Sequence, residues 1–439
     1  MPTTKSRFRM VPDRSPFDRA VPRSSLEPGV QSAIPDRERD RIRAAFPSLA
    51  DEIVFLENAG GSQVPGVVAD ALRDYMLQSY VQLGAGYARS QRATATVDAA
   101  HEWIGRLMRA SQGHVILGPS TTTLMHMLSD CYRRILRPGQ SVVLAQTGHE
   151  ANMGPWRNLA RDGVDVRIWP VDPQRMVCSI ESLDQVMDDQ TALVCFPHVS
   201  NLLGEIVDAK ALTDRIHAAG ARVVVDGVAY APHRRIDCEG WDVDWYVYST
   251  YKVYGPHMAA LYGRSDALAE ITGPNHFFIG DDEIPYKFEL GGPNHESCAG
   301  LLALERYFAD LLEVDPGRRL DDDALDRVFE LMTALEIEPT RRLVDFLQSK
   351  SKVRIVGPAH ADESRVGTVS FTHAEHSSRA ITEVVDGSGV AIRHGHMYAY
   401  DLCRGLDIEP EDGVVRVSLL HYNTPQEIDR LIEVLDPVL

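Results

Sequence analysis

The chain has 439 residues, of which 44% are hydrophobic and 25% are charged, as in ordinary soluble globular proteins. Acidic residues outnumber basic ones by 63 to 45, so the formal net charge is −18. This balance argues against nucleic acid and anionic membranes as partners, because both of them need a basic protein surface.

Neither the N-terminal segment nor the cysteines point to secretion or to a membrane. The first residues mix Arg, Asp, Pro and Ser without a long apolar run, so we predict a flexible arm over residues 1–35. The six cysteines are scattered, without a CxxC pair or a regular framework. In a chain long enough for two cores, this usage favours reduced thiols and a cytoplasmic location.

After the arm, the pattern becomes one of alternating helices and strands. "PDRERDRIRAAFPSL" predicts a short amphipathic helix, "VFLENAGGSQVP" a strand that ends in a Gly-Gly turn, and "GVVADALRDYMLQSYVQL" a second helix. Further helices are predicted over 96–110, from 121, from 151, and over 180–188 and 208–219. The strands between and after them are "HVILG", "SVVLAQ", "DVRIWPV", "TALVCFPH", "ARVVVDGV", "DWYVYST" and "MAALYG". This alternation predicts a doubly wound, mostly parallel sheet, in which ligands bind at the carboxyl ends of the strands.

From about residue 300 the pattern changes to that of a smaller α+β domain. Long helices are predicted over 299–313 and 320–350, followed by the strands "VRIVGP", "VGTVSFTH", "GVAIRHGH" and "VVRVSLLHY" and a last helix over 425–435. We therefore expect a large α/β domain over 36–300 and a small α+β domain over 301–439, with 36–60 able to pack on the small domain.

Lys252 is the residue that most needs an explanation, because it lies among tyrosines and apolar residues in "VYSTYKVYGPHMAALYG". A buried ammonium is unfavourable by several kcal/mol unless it is paired, neutralised or used chemically. Taken alone, a lysine that extends from a strand end towards water is the better interpretation. Three other strand ends change that balance.

Each of these strand ends carries a side chain that suits one part of a single ligand. Asp226 ends "VVVDG", where a carboxylate needs a cation. Thr121 opens a helix whose N–H groups and hydroxyls could bind phosphate, although Ser120 or Thr121 could merely cap that helix. His149 follows the next strand and could lie flat on a planar ring, although a lone histidine is more often structural. Phosphate, a flat ring, a ring nitrogen that needs a carboxylate and an aldehyde that needs an amine together indicate pyridoxal phosphate.

The chain resembles the class V aminotransferase-fold enzymes that use this cofactor, and within them the cysteine desulfurase-like proteins. The matching motifs occur in order over roughly residues 40–437: "FLENAGGSQVP", "GHEANMGPW", "HVSNLLGEI", "VVVDGVAYAPHR", "STYKVYGPH", "FELGGPNHE" and "VRVSLLHYNT". The resemblance implies fold type I, like aspartate aminotransferase, with a mostly parallel seven-stranded sheet in the large domain. It also implies pyridoxal 5'-phosphate as cofactor, a small amino acid as substrate and a homodimer with shared active sites.

The resemblance also implies roles for individual residues. Lys252 would form the Schiff base, Asp226 would pair with the pyridinium nitrogen, and His149 would stack on the ring. Further cofactor contacts would come from Thr121, Thr122, Asn201, Ser249 and Tyr251, and from Gly292 and Asn294 facing the neighbour's phosphate. Arg416 would hold the substrate carboxylate, a task that suits a planar guanidinium, with Arg393 and Tyr398 also at the substrate. No metal ligands are expected.

Two departures from the desulfurase pattern bear on the reaction. Ala229 stands where desulfurases usually carry a glutamine, and Tyr398 stands where they carry the cysteine that accepts sulfur. Cys403 follows in a predicted helix, where a buried thiol is most often inert. We therefore predict a C–S lyase, acting by β-elimination, or a desulfurase-like enzyme on a cysteine-derived substrate. Desulfuration through Cys403, transamination and epimerisation stay open, whereas a non-catalytic scaffold fits the retained site residues poorly.

Overall fold

The computed structural model describes residues 35–51 and 53–439. The arm predicted over 1–35 therefore lies, except for its last residue, outside the described part of the chain. Pro35–Leu439 form a single compact unit, and its separation into domains over 36–300 and 301–439 stays a prediction.

The N-terminal part of this unit contains three helices and one short strand. Helix α1 (Asp36–Ala44) begins with acidic and ends with basic side chains, which suits the helix dipole. It is followed by β1 (Val54–Phe55), α2 (Gly66–Gln78) and α3 (Ala88–Leu107). The helix predicted over 96–110 thus begins earlier, at Ala88, because Ala, Arg and Gln favour helix even where the apolar periodicity is weak.

The central sheet confirms the predicted architecture. Its strands are β2 (Gly113–Gly118), β3 (Ser141–Ala145), β4 (Asp165–Trp169), β5 (Thr191–Pro197), β6 (Arg222–Asp226), β7 (Trp245–Ser249) and β8 (Ala259–Arg264). They lie in the order β2-β8-β7-β6-β5-β3-β4, and only the two pairings made by β8 are antiparallel. All residues of β3 and β7 are buried, which explains why these strands are continuous apolar runs without polar alternation.

Helices cover this sheet, and one of them differs from the prediction. They are α4 (Thr121–Arg133), α5 (Gly154–Arg157), α6 (Ile180–Val186), α7 (Ala209–Ala218), α8 (Cys238–Trp241) and α9 (Ser265–Ala269). The helix predicted from residue 151 is wrong: the segment forms the four-residue α5 between two short 3-10 turns. Pro155 has no N–H to donate, so a continuous helix through it would lack a backbone hydrogen bond.

The C-terminal part is α+β, as predicted. It contains α10 (His295–Leu311), α11 (Asp322–Gln348), β9 (Val353–Val356), β10 (Thr368–His373), α12 (Ser378–Asp386), β11 (Val390–Ala391), β12 (Arg393–Gly395), α13 (Tyr400–Gly405), β13 (Val414–Ser418) and α14 (Pro425–Leu435). Four of its strands form an antiparallel sheet in the order β12-β13-β10-β9. Strand β1 pairs in parallel with β11, which ties the segment after α1 to this part of the chain. No helix of the described residues combines the length and the apolarity needed to cross a bilayer.

Candidate active site

A cavity of about 580 Å³ lies at the carboxyl ends of the central strands, where parallel topology brings their last side chains together. It is lined by Ser120, Thr121, Thr122, His149, Ala151, Pro197, Val199, Asn201, Asp226, Val228, Ala229, Ser249, Tyr251, Lys252 and His257. The predicted cofactor residues are thus gathered in one place, with the exception of Gly292 and Asn294.

Lys252 is held in a 3-10 turn, Thr250–Lys252, directly after β7. Burial and the positive charge of Arg416 lower the pKa of its ammonium, while Asp226 raises it, and the result is a pKa of about 8. At pH 7 roughly a tenth of such an amine is unprotonated, against about one in three thousand for a lysine with an unperturbed pKa. The side chain can therefore act as a nucleophile or a base near neutral pH.

Asp226 is the last residue of β6, and its side chain is buried. Burial raises the pKa of this carboxyl, whereas the N–H of Val228, which donates to Oδ1 at 3.0 Å, and the charge of Lys252 lower it. A buried carboxylate with so little hydrogen bonding is stabilised by a cation. The charged ring nitrogen of pyridoxal phosphate would satisfy it.

The N-terminus of α4 forms the opposite, anion-accepting end of the cavity. Ser120 caps the helix by accepting from the N–H of Thr123 at 3.1 Å, and the hydroxyls of Thr121 and Ser249 bond at 2.8 Å. Within the described chain, the backbone N–H groups of Thr121 and Thr122 have no hydrogen-bond partner. Free N–H groups at a helix N-terminus, together with hydroxyls, suit a phosphate group.

His149 and Asn201 complete the walls on the sheet side. The Nδ1 atom of His149 accepts from the N–H of Ala151 at 3.0 Å, so its proton must lie on Nε2. Burial, Lys252 and Arg416 lower the pKa of His149 to about 4, so the ring is neutral at pH 7. Asn201 donates to the carbonyl of Met397 at 2.8 Å, while its buried Oδ1 has no partner among the described residues and could accept from a ligand hydroxyl.

Arg416 on β13 is only 3% exposed, yet its hydrogen bonding is incomplete. One N–H donates to the carbonyl of Asn201 at 3.3 Å, and Nε lacks a partner in the described part of the protein. Burial lowers the pKa of this guanidinium to about 10, although the negative charge of Glu57 raises it. Arg393 is more exposed and forms an ion pair with Glu57. A buried cation with unused donors fits the carboxylate of an amino acid.

These side chains fit pyridoxal phosphate on their own chemistry: a reactive amine, a buried carboxylate, an orphaned acceptor and a phosphate-accepting helix end lie around one cavity. The family model described as aminotransferase class-V matches residues 54–431. The chain belongs to the aminotransferase class-V family. Its cofactor is accordingly pyridoxal 5'-phosphate, and the protein is a class-V enzyme that acts on an amino acid.

Several characterised proteins are similar to this class-V enzyme over most of their length. It is 36% identical to the aminotransferase-like protein FGM3 of Gibberella zeae, over 91% of this chain and 98% of the relative. It is 29% identical to a cysteine desulfurase of Serratia proteamaculans, over 90% of this chain and 96% of the relative. The crystal structure of the cysteine desulfurase CsdA from Escherichia coli matches with a TM-score of 0.77 and 26% identity, over 91% and 98%. These likenesses confirm the predicted family and fold.

The remaining predicted residues of this class-V enzyme lie outside the cavity lining. Tyr398 is exposed at the edge of the site, with its ring 5.2 Å from that of His149. Asn294 caps α10 by accepting from Ser297, and Gly292 has φ 78° in the preceding turn. In the described residues of one chain, neither reaches this cavity, so their contact with a neighbour's phosphate stays a prediction.

Sequence reasoning assigned no role to two residues that the structure places here. Glu57 forms an ion pair with Arg393, and its negative charge raises the pKa of Arg416. His257 lines the cavity beside Tyr251. The only sequence signal was that both lie in motifs of the family, "FLENAGG" and "STYKVYGPH". Neither motif reveals which side chains face each other.

Proposed function

We propose that this class-V enzyme is a C–S lyase that removes the β-substituent of a cysteine-derived amino acid by elimination, without a sulfur-accepting thiol. The observation that carries the proposal is that the thiol of Cys403 is buried and protonated. It lies in α13 with 0% exposure, and burial raises the pKa of its thiol to about 11. A thiol that is buried and protonated cannot attack a sulfur atom bound in the cavity.

The other cysteines support the same proposal. All six thiols are free; five of them are buried and Cys178 is half-buried. Of the residues that the structure describes, no cysteine lines the cavity. Free thiols also fit the cytoplasmic location that we propose for this enzyme.

Tyr398 stands at the position of the missing cysteine. Its backbone conformation supports a role for this residue at the substrate. Tyr398 and Met397 both have left-handed conformations, with φ 62° and 45°. Such conformations cost about 1–3 kcal/mol each in a non-glycine residue, so neighbouring contacts must hold them. The carbonyl of Met397 accepts from Asn201 and that of Tyr398 from the N–H of Glu150, both at 2.8 Å. These bonds hold the phenol at the mouth of the site.

The side chains suggest a division of labour in the elimination. The guanidinium of Arg416 binds the substrate carboxylate, and His149, being neutral, orients the flat ring without adding charge. When bound, pyridoxal phosphate supplies the electron sink for the negative charge that develops at Cα. Lys252 is the base in the cavity that would take the Cα proton. Asp226 would hold the ring nitrogen in its charged form.

The overall reaction balances without an oxidant or a protein thiol. The substrate loses a proton from Cα and a thiolate from Cβ, and the thiolate takes up a proton that the phenol of Tyr398 is positioned to donate. Water then replaces the amino group of the remaining three-carbon unit, so a cysteine S-conjugate and one water yield a thiol, pyruvate and ammonia.

Product analysis tests this proposal directly. The cofactor-loaded enzyme is incubated with L-cysteine, cystine and cysteine S-conjugates, and pyruvate, ammonia, thiol and alanine are quantified. We expect pyruvate and ammonia in equal amounts, unchanged within about twofold by Cys403→Ser. Tyr398→Phe should lower kcat by roughly tenfold because it removes a proton donor. Tyr400→Phe, two residues further on at the start of α13, is the matched control and should keep kcat within about twofold.

Alanine with released sulfide, abolished by Cys403→Ser, would contradict elimination and establish desulfuration. Transamination is the second candidate, because the relative FGM3 is described as aminotransferase-like. It would convert the substrate to its keto acid with the side chain retained, and would require an added keto acid for continued turnover. That outcome would also overturn the lyase proposal.

We also propose a homodimer, supported by an exposed apolar surface immediately before Gly292. Phe277 is 96% and Phe278 71% exposed, and Tyr286 and Leu290 are exposed beside them in sequence. Exposed aromatic side chains in such number are typical of protein interfaces. Light scattering after size exclusion should give twice the chain mass, and Phe277→Asp should shift the enzyme towards monomers. Ile135→Asp, at another exposed apolar position, should not; a wild-type monomer would refute the proposal.

A further inference from the structure

The phosphate end of the cavity needs a cation that the predicted residues do not provide. A phosphate ester carries up to two negative charges, and the hydroxyls and N–H groups at the start of α4 are neutral. Among the described lining residues, the basic side chains are Lys252, His149 and His257. Lys252 is needed to bind the aldehyde, and the low pKa of His149 leaves its ring neutral. His257 is therefore the remaining basic side chain that could bind the phosphate.

The strand register places His257 at this end of the cavity. Strands β7 and β8 are antiparallel, with Ser249 opposite Ala259, and the N–H of Thr250 donates to the carbonyl of Met258 at 2.9 Å. One step further along the same ladder, Tyr251 faces His257. Because Ser249 bonds to Thr121 at the start of α4, the ladder brings His257 to the side of the cavity where the free N–H groups lie.

Tyr251 holds the His257 ring in place. The two rings stack face to face, with 4.4 Å between centroids and 3° between planes. The ring of Tyr251 is in turn held by its half-buried position and by a contact with the hydroxyl of Ser249. In the described residues the His257 ring nitrogens have no hydrogen-bond partner, so they are free to bond to a ligand.

We propose that His257 is a phosphate-binding residue of this enzyme, donating a hydrogen bond to the phosphate of pyridoxal phosphate, and that Tyr251 is its positioning residue. The inference goes beyond the proposed reaction and does not depend on it, because any amino-acid chemistry at this site requires the same phosphate anchor. It concerns binding of the cofactor, which can be measured without turnover.

The test compares pyridoxal phosphate with pyridoxal, which has the same ring and aldehyde but no phosphate. Both are titrated into cofactor-free protein, and dissociation constants are measured for wild type, His257→Gln and His126→Gln. His126 is an exposed histidine on α4 outside the cavity and serves as the matched control. We expect His257→Gln to weaken pyridoxal phosphate by about tenfold or more and pyridoxal by less than about twofold. His126→Gln should change neither.

Substitutions of Tyr251 provide a second, independent test of the proposal. Tyr251→Ala should weaken pyridoxal phosphate by several fold, Tyr251→Phe should restore binding because it keeps the stacking ring, and Tyr251→Ala should add little to His257→Gln. Equal weakening of both ligands by His257→Gln, or no weakening of either, would overturn the proposal. Loss of phosphate binding in Tyr251→Phe with normal binding in His257→Gln would assign the contact to the phenol instead. Because His257 is exposed, the substitution leaves the buried core intact.

Discussion

Replacing Lys252 with alanine should abolish the covalent attachment of pyridoxal phosphate and reduce turnover by about a thousandfold or more. The physical reason is the position of the amine: it lies in the cavity, and its pKa of about 8 makes it reactive near neutral pH. Without it, the aldehyde has no amine to bind and the Cα proton has no base to accept it. The visible absorption of the bound cofactor and its resistance to dialysis measure the first effect, and steady-state kinetics the second.

Lys210→Ala is the matched control, because Lys210 is an exposed lysine on α7 that forms only a surface ion pair with Asp214. It should retain full absorption and turnover, since such pairs contribute little. An unchanged visible spectrum in Lys252→Ala would contradict the whole assignment of the site.

Asp226→Asn should leave the cofactor attached but lower kcat by about a hundredfold or more, because a neutral amide cannot stabilise a charged ring nitrogen as a buried carboxylate does. The rate of solvent-deuterium exchange at the substrate Cα should fall by a similar factor, which separates this defect from loss of binding. Retained exchange with a low kcat would mean that Asp226 acts at a later step.

The same substitution should shift a pH profile in a defined direction. Cofactor-free protein captures the aldehyde through the unprotonated amine, so the capture rate rises with pH and levels off above the pKa of Lys252, about 8. Asp226 raises this pKa and Arg416 lowers it. Asp226→Asn should therefore move the midpoint to lower pH, and Arg416→Met should move it to higher pH. Shifts in the same direction for both variants would contradict the opposite effects of these two charges on the pKa of Lys252.

The sequence alone predicted most of the sheet and the cofactor because those signals are local. Buried strands are continuous apolar runs, and β3, β5, β6 and β7 were recognisable mainly in this way, whereas the edge strand β4 carries polar residues and was recognised from its place in the alternation. Lys252, Asp226 and His149 could be grouped from their places in the sequence because strand ends of such a sheet meet at one edge. Local signals failed where a short segment was ambiguous: the helix expected from residue 151 is interrupted at Met153, just before the short α5 that contains Pro155, and α12 was not predicted.

What only the tertiary structure decided are the contacts between residues far apart in the chain. The burial of Cys403 and of Arg416, the ion pair of Glu57 with Arg393, and the carbonyl of Met397 bonded to Asn201 all join segments that no periodicity relates. The stack of Tyr251 on His257 depends on the register between two strands. Composition and spacing determine which elements form, because propensity and burial act over a few residues. Charge, exposure and pairing in the site depend on how those elements close on one another, because electrostatics and desolvation act through space.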